Sequence, residues 1–265
     1  IFILKIFRDF SYILFAKRVP LRNLTSESKI IFSLFDKRSI KNGYLNDDYF
    51  RDILLDEINV ICIYKLINPK FFRGLSYIKL ISQTKKNYSA FSEYSFLTFF
   101  SILQALFYSF IYLIRIHFFK KNFEVDDNLK KILFKEVNKE IFNGTIYQGY
   151  LQEILCKRIF TKNPKMILSV WENHPWNRVL ESSKKKFSPQ TFSKGFQHTG
   201  FNKKLLQHYP SSLEQNLNSY PDEIICNGLV NQSELSKHIE NTNILVGSAL
   251  RQNHLFSKKA SKLAN

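Results

Sequence analysis

Four short apolar runs in the C-terminal third, each stopping at a polar and chemically capable cluster, constrain this chain more than any other feature. Lys165 to Val170 runs into Trp171-Glu172-Asn173-His174-Pro175-Trp176, and Phe192 to Phe196 into Gln197-His198-Thr199-Gly200. Glu223 to Cys226 stops at Asn227-Gly228, and Asn243 to Val246 at Gly247-Ser248. Runs of this length bounded by turn formers predict buried strands. In a parallel α/β sheet the carboxyl ends of the strands line the ligand crevice, so the four clusters fall where a site is expected.

The beginning of the chain predicts a strand–helix–strand unit of parallel type. Ile30 to Phe35 is an apolar run, Asp36 to Asp48 a polar loop, and Tyr49, Ile53, Leu54 and Glu57 carry helical spacing. A second run at Val60 to Tyr64 ends at Asn68-Pro69. Residues 122–160 predict two helices broken at Asn143-Gly144, a scaffold with no assigned chemistry. Between these parts, Phe96 to Ile114 carries no charge and is flanked by basic residues on both sides, Lys85-Lys86 before and Arg115 and Lys120-Lys121 after. Its length leaves three placements open: a membrane span, a helix lying against a membrane face, and a buried core helix.

The formal charge of +17 with pI ≈ 9.7 admits nucleic acid, an anionic membrane surface or a polyanionic substrate as partner, and equally a lysine-rich compositional bias spread over solvated surface. With no basic arm, zinc-finger spacing or aromatic-basic ribonucleoprotein motif, nucleic acid is not expected. Cys62, Cys156 and Cys226 are odd in number and far apart, against a disulfide framework or zinc cage and in favour of a reducing, cytoplasmic compartment. Lys5, Arg8 and Asp9 interrupt the apolar start, so no signal peptide is read. The start at Ile1 and the end at Asn265, within a predicted strand-to-helix transition, lead us to expect a piece of a longer protein.

Each polar cluster also has a structural alternative. Glu172-Asn173 suits a cap for a helix starting near Pro175, His198 suits a hydrogen-bonded structural histidine, Asn227-Gly228 suits a plain turn, and Arg251 a surface arginine. Their common placement favours function. The segments Trp171 to Leu180, Gly195 to Gly200, Pro221-Asp222 and Cys226 to Gly228 resemble a family of bacterial surface-carbohydrate (O-antigen and capsule) biosynthesis proteins. Ser33 to Arg38 and the stretch from Gly43-Tyr44 to Tyr49-Phe50 resemble its N-terminal half; where the family commonly has an acidic residue after the second tryptophan, this chain has Asn177.

That family is similar to GT-B-type glycosyltransferases and to capsule glycerophosphotransferases. The resemblance implies an α/β fold of two Rossmann-like domains with parallel sheets, the C-terminal one incomplete. An acceptor-side domain would span residues 1–219, with an inserted hydrophobic helix at 96–119, and residues 220–265 would begin a nucleotide-sugar donor domain. It also implies a saccharide or lipid-linked saccharide acceptor and a location at the cytoplasmic face of the inner membrane.

Sugar transfer needs a base for the acceptor hydroxyl, stabilisation of the departing phosphate, and positioning of both partners. His198 is the first choice of base and Glu172 its rival. Asn173, His174, Trp176, Gln197, Thr199, Gly200, Asn227 and Gly228 are the expected substrate contacts, and Gly247, Ser248 and Arg251 the expected donor-phosphate contacts. No Asp-x-Asp occurs, so no metal is expected; no dinucleotide or phosphate-loop signature occurs, so no cofactor is expected either. Three functions stay open: a glycosyltransferase or CDP-glycerol-type glycerophosphotransferase, a non-catalytic scaffold subunit of polysaccharide assembly, and an unrelated basic membrane- or nucleic-acid-binding protein.

Overall fold

The computed structural model describes residues 2–19, 21, 24–35, 39–41, 44–45, 47, 49–50, 59–66, 70–84, 88–122, 126–197, 209, 215–217 and 219–247. In chain order the elements are α1 (Phe2–Phe15), β1 (Lys29–Leu34), a small hairpin of β2 (Ile40–Lys41) and β3 (Tyr44–Leu45), β4 (Val60–Lys65), α2 (Phe71–Gln83), β5 (Ser89–Ser92), a 3-10 turn (Glu93–Phe96), α3 (Phe99–Asn122), α4 (Asp127–Phe142), α5 (Thr145–Phe160), β6 (Met166–Trp171), α6 (Pro175–Phe187), β7 (Phe192–Gln197), β8 (Glu223–Asn227), α7 (Leu229–Ser236) and β9 (Asn243–Gly247).

Seven strands form one sheet in the order β5-β4-β1-β6-β7-β8-β9, every neighbouring pair parallel. This is a Rossmann-like arrangement: the chain builds outward from β1 to β4 and β5, then returns to the other side of β1 and builds outward again. The point of reversal lies between β1 and β6. The central strands start level, Lys29 opposite both Val60 and Met166, and Met166 opposite Phe192. Their carboxyl ends therefore come out together at Leu34, Lys65, Trp171 and Gln197.

The strands form where their side chains are covered on both faces. Ile30 to Leu34 are all buried, as are Val60 to Tyr64 and Ile167 to Trp171, the continuous pattern of a parallel sheet sandwiched between helices. Most of the buried apolar residues make one core around β1, β4, β5, β6 and α5; Trp171, Tyr220, Ile224, Cys226, Leu235, Ile239 and Ile244 make a second cluster under α7. Between α4 and α5, Gly144 takes φ 74°, the left-handed turn that ends one helix and starts the next, at the break expected from Asn143-Gly144.

The expected strands at 30–35, 60–64, 165–170, 192–196, 223–226 and 243–246 are all present within a residue or so, and the uncharged stretch is a helix, α3. α1, α2, β5 and α7 carry no sequence expectation, and the β2–β3 hairpin falls where a polar loop was expected. The helix expected through Ile53 to Glu57 lies outside the described residues. The strands beyond residue 220 that were expected to open a second domain are the sixth and seventh strands of this one sheet, joined to it by the pairing of β8 with β7.

Candidate functional site

At the reversal point, β6 delivers its polar cluster to the carboxyl edge of the sheet. Asn173 adopts φ 55°, a left-handed conformation that asparagine tolerates better than other non-glycine residues, and this turns the chain sharply from the strand into α6. His174 is the N-cap and Pro175 occupies the first turn, where its missing N–H costs nothing. The cap is thus His174 and not Asn173, contrary to the alternative drawn from the sequence. Asn177 fixes the start of the helix: its Oδ1 accepts from the His174 backbone N–H at 3.1 Å and its Nδ2 donates to the Val170 carbonyl at 2.9 Å.

Around this turn the side chains divide by exposure. Glu172 is buried along most of its length, and its Oε2 lies 3.6 Å from Nε2 of the half-exposed His174 ring. Asn173 is buried; its Nδ2 donates to the Tyr220 hydroxyl at 3.4 Å and its Oδ1 accepts from Arg178 Nε at 3.2 Å. The first turn of α6 points its positive end at this edge, an arrangement that favours an anion there.

From the other side of the crevice comes Lys65, at the end of β4. Its Nζ donates to Glu93 Oε2 at 3.0 Å and to Gln152 Oε1 at 2.9 Å, and stands 5.7 Å from the centre of the Trp176 ring. Glu93 Oε1 in turn accepts from the Leu66 backbone N–H at 3.2 Å. Lys65, Glu93 and Gln152 escaped the sequence analysis because they come from three separate elements. Lys65 alone left a signal, as the one charge closing the apolar run Val60 to Tyr64.

Beside Trp171, Gln197 ends β7 as its register partner. Gln197 is buried; its Oε1 accepts from the Asn227 N–H at 3.4 Å, while its Nε2 has no partner among the described residues. The structure therefore brings together Glu172, Asn173, His174, Trp176 and Gln197 of the expected site, with Asn227 and Gly228 one strand further out. Gly228 takes φ 95° as the N-cap of α7. Gly247 stands at the end of β9, the sheet's outer strand, three strand spacings from β6, or about 14 Å. A side chain there would run into Ile225, so packing accounts for this glycine. His198, Thr199, Gly200, Ser248 and Arg251 lie outside the described residues.

Two further polar clusters belong to the scaffold. Asp47 is buried, with its carboxyl pushed upward by burial, and its Oδ1 accepts from the N–H groups of Tyr49 and Phe50 at 2.8 and 2.7 Å. It pins the loop that carries Phe50 onto Phe196, 5.4 Å away between ring centres. At the opposite, amino edge of the sheet, Lys184 Nζ meets Asp222 Oδ2 at 2.6 Å and Ser193 Oγ at 3.1 Å, and Ser193 Oγ donates to Glu181 Oε2 at 2.8 Å. Burial raises the Glu181 carboxyl to about 7. Perturbed acids mark functional sites only where a ligand can reach them, and this network lies at the edge away from the crevice.

Among the described residues no three His, Cys, Asp or Glu side chains stand together in a way that could hold a metal. Comparison with protein-family models, with curated proteins and with solved structures finds no match.

Proposed function

We propose that this chain is a nucleotide-sugar-dependent glycosyltransferase of surface-polysaccharide biosynthesis, with its chemistry at the β1/β6 reversal point. The observation that carries the reading is the placement of Glu172, backed by His174 and beside the first turn of α6, at the position where Rossmann-like sheets bind their ligands. The sequence resemblance of Trp171 to Leu180 and Gly195 to Gly200 supplies the substrate class. On the strength of that resemblance alone, we take this sheet as one of the two Rossmann-like units of a GT-B-type arrangement.

In the proposed reaction the acceptor hydroxyl oxygen attacks the anomeric carbon of the donor sugar. Its proton passes to Glu172, the sugar–phosphate bond breaks, and the nucleoside diphosphate leaves with the electron pair. The α6 N-terminus and the cations Lys65 and Arg178 are suited to the developing phosphate charge, and Trp176 offers a ring face to a sugar. Asn177, standing where the resembled family commonly has an acidic residue, would also suit a non-catalytic subunit. Its amide is engaged in building the helix start, which accounts for an uncharged residue there.

The test is a transfer assay. Labelled UDP-, GDP- and CMP-sugars and CDP-glycerol are offered with a bacterial lipid-linked saccharide extract, and both product and released nucleotide are measured for the native chain and for Glu172→Gln. One donor consumed by the native chain and spared by the variant supports the reading. No donor consumed, or equal turnover by both proteins, rejects it.

A further inference from the structure

α1 carries apolar side chains on its solvent side as well as on the core side, where Tyr12 and Ile13 are buried. Asp9 and Ser11 are buried, Asp9 accepting from Arg8, Tyr94 and Gln148, while Ile3, Leu4 and Phe7 face solvent. From Phe7 the exposed apolar surface continues through ring contacts, to Phe71 at 5.9 Å and on to Phe72 at 5.2 Å. One turn along α1, Phe10 meets Phe99 at 5.6 Å and so leads onto α3.

The first turns of α3 bury Ser101, Ile102 and Ala105, but from Leu106 to Phe119 no side chain is buried. Phe100, Phe107, Phe110 and Phe118 are all exposed, and the stretch Phe99–Phe119 is long and apolar enough to cross a bilayer. Exposed aromatic and aliphatic side chains clustered in this way are what marks an interaction surface on a protein.

Topology rules out a crossing. The chain enters α3 from β5 and comes back through α4 and α5 to β6, and both strands belong to the same sheet. The return helix α4 carries Lys130, Lys131, Lys135, Glu136, Lys139 and Glu140, too many charges to pass through hydrocarbon. Both ends of α3 therefore stay on one side.

Charge identifies what covers the surface. The chain has a formal net charge of +17, so two copies repel, whereas an anionic surface attracts it. Exposed Arg115 lies on α3 itself, and the helix that follows exposes Lys131 and Lys135; apolar and basic side chains are the combination that interfacial helices use. We infer that α1, the start of α2 and α3 together dock on an anionic phospholipid bilayer, with α3 lying in the plane of the interface.

Flotation of the whole chain with vesicles of phosphatidylcholine alone, and with a quarter of phosphatidylglycerol, tests this. The inference is independent of any transferase activity. The chain should float with the anionic vesicles, less so at high salt, and the triple variant Phe100→Ser, Phe110→Ser, Phe118→Ser should lose about tenfold or more in partitioning while keeping its circular dichroism. Since Cys62, Cys156 and Cys226 are buried, a fluorophore on Leu113→Cys reports depth selectively. Shallow lipid quenchers should be more effective than deep ones. Failure to float, stronger deep quenching, or a native oligomer that the triple variant abolishes without any lipid binding would each overturn the inference.

Discussion

The imidazole of His174 and the carboxylate of Glu172 face each other across Asn173, with Nε2 and Oε2 3.6 Å apart. Because the strand end is buried and the helix N-cap half-exposed, this pair joins a shielded acid to a solvent-accessible ring. Glu172→Gln keeps the shape and removes the proton acceptor. Transfer should fall by roughly two to four orders of magnitude, the usual worth of a general base, with little change in melting temperature. A melting temperature lowered in proportion to activity would make Glu172 structural.

Asn177 accepts from the His174 N–H at the start of α6 and donates to the Val170 carbonyl of β6, which a carboxylate cannot do. Asn177→Asp should therefore destabilise the protein by about 1–2 kcal/mol in urea denaturation, with no gain in transfer. Increased turnover in this variant would show that the position has a chemical role.

Gly195 lies under Trp171. A Cβ there would stand 2.8 Å from the Trp171 Cβ and 2.9 Å from its Cγ, in a cluster where the indole is completely buried. Gly195→Ala should cost about 1–3 kcal/mol by overpacking. Gly149, within α5, has open space around it, so Gly149→Ala should stabilise by up to about 1 kcal/mol. Equilibrium unfolding of the two variants should show opposite signs.

Glu181 supplies the pH dependence. Its folded-state value is raised to about 7 from 4.5 by burial, so the folded chain holds this proton more tightly than the unfolded one. The resulting stability is fully present below about pH 4.5 and is lost as pH rises toward 7, on the order of 3 kcal/mol in all. Glu181→Gln should flatten unfolding free energy over that window, measured by denaturation at pH 5, 6, 7 and 8. An unchanged slope would mean that Lys184 and the Ser193 hydroxyl keep the carboxylate charged.

The sequence revealed the strands that are apolar on both faces and stop at polar clusters, because burial on two sides writes a continuous run such as Ile30 to Leu34 or Ile167 to Trp171. It concealed β5, whose Ser89-Ala90-Phe91-Ser92 is short and half polar, and α1, whose buried face holds Asp9 and Ser11. Sheet membership was equally hidden. The runs at Glu223 and Asn243 read as strands, but nothing local tells whether they pair with β7 or open a new sheet. The site shows the same division. Glu172 to Trp176 is one contiguous segment and could be read, whereas Lys65, Glu93 and Gln152 meet only through the fold.

Nucleotide binding tests the central claim most directly. Thermal denaturation with UDP, GDP, CMP and CDP-glycerol should show one ligand that stabilises the native chain, by about 2.7 kcal/mol at a hundred times its dissociation constant. Lys65→Met should weaken that response at least tenfold. If none of the four raises the melting temperature, or if Lys65→Met responds as the native chain does, the β1/β6 edge is not a nucleotide-sugar site.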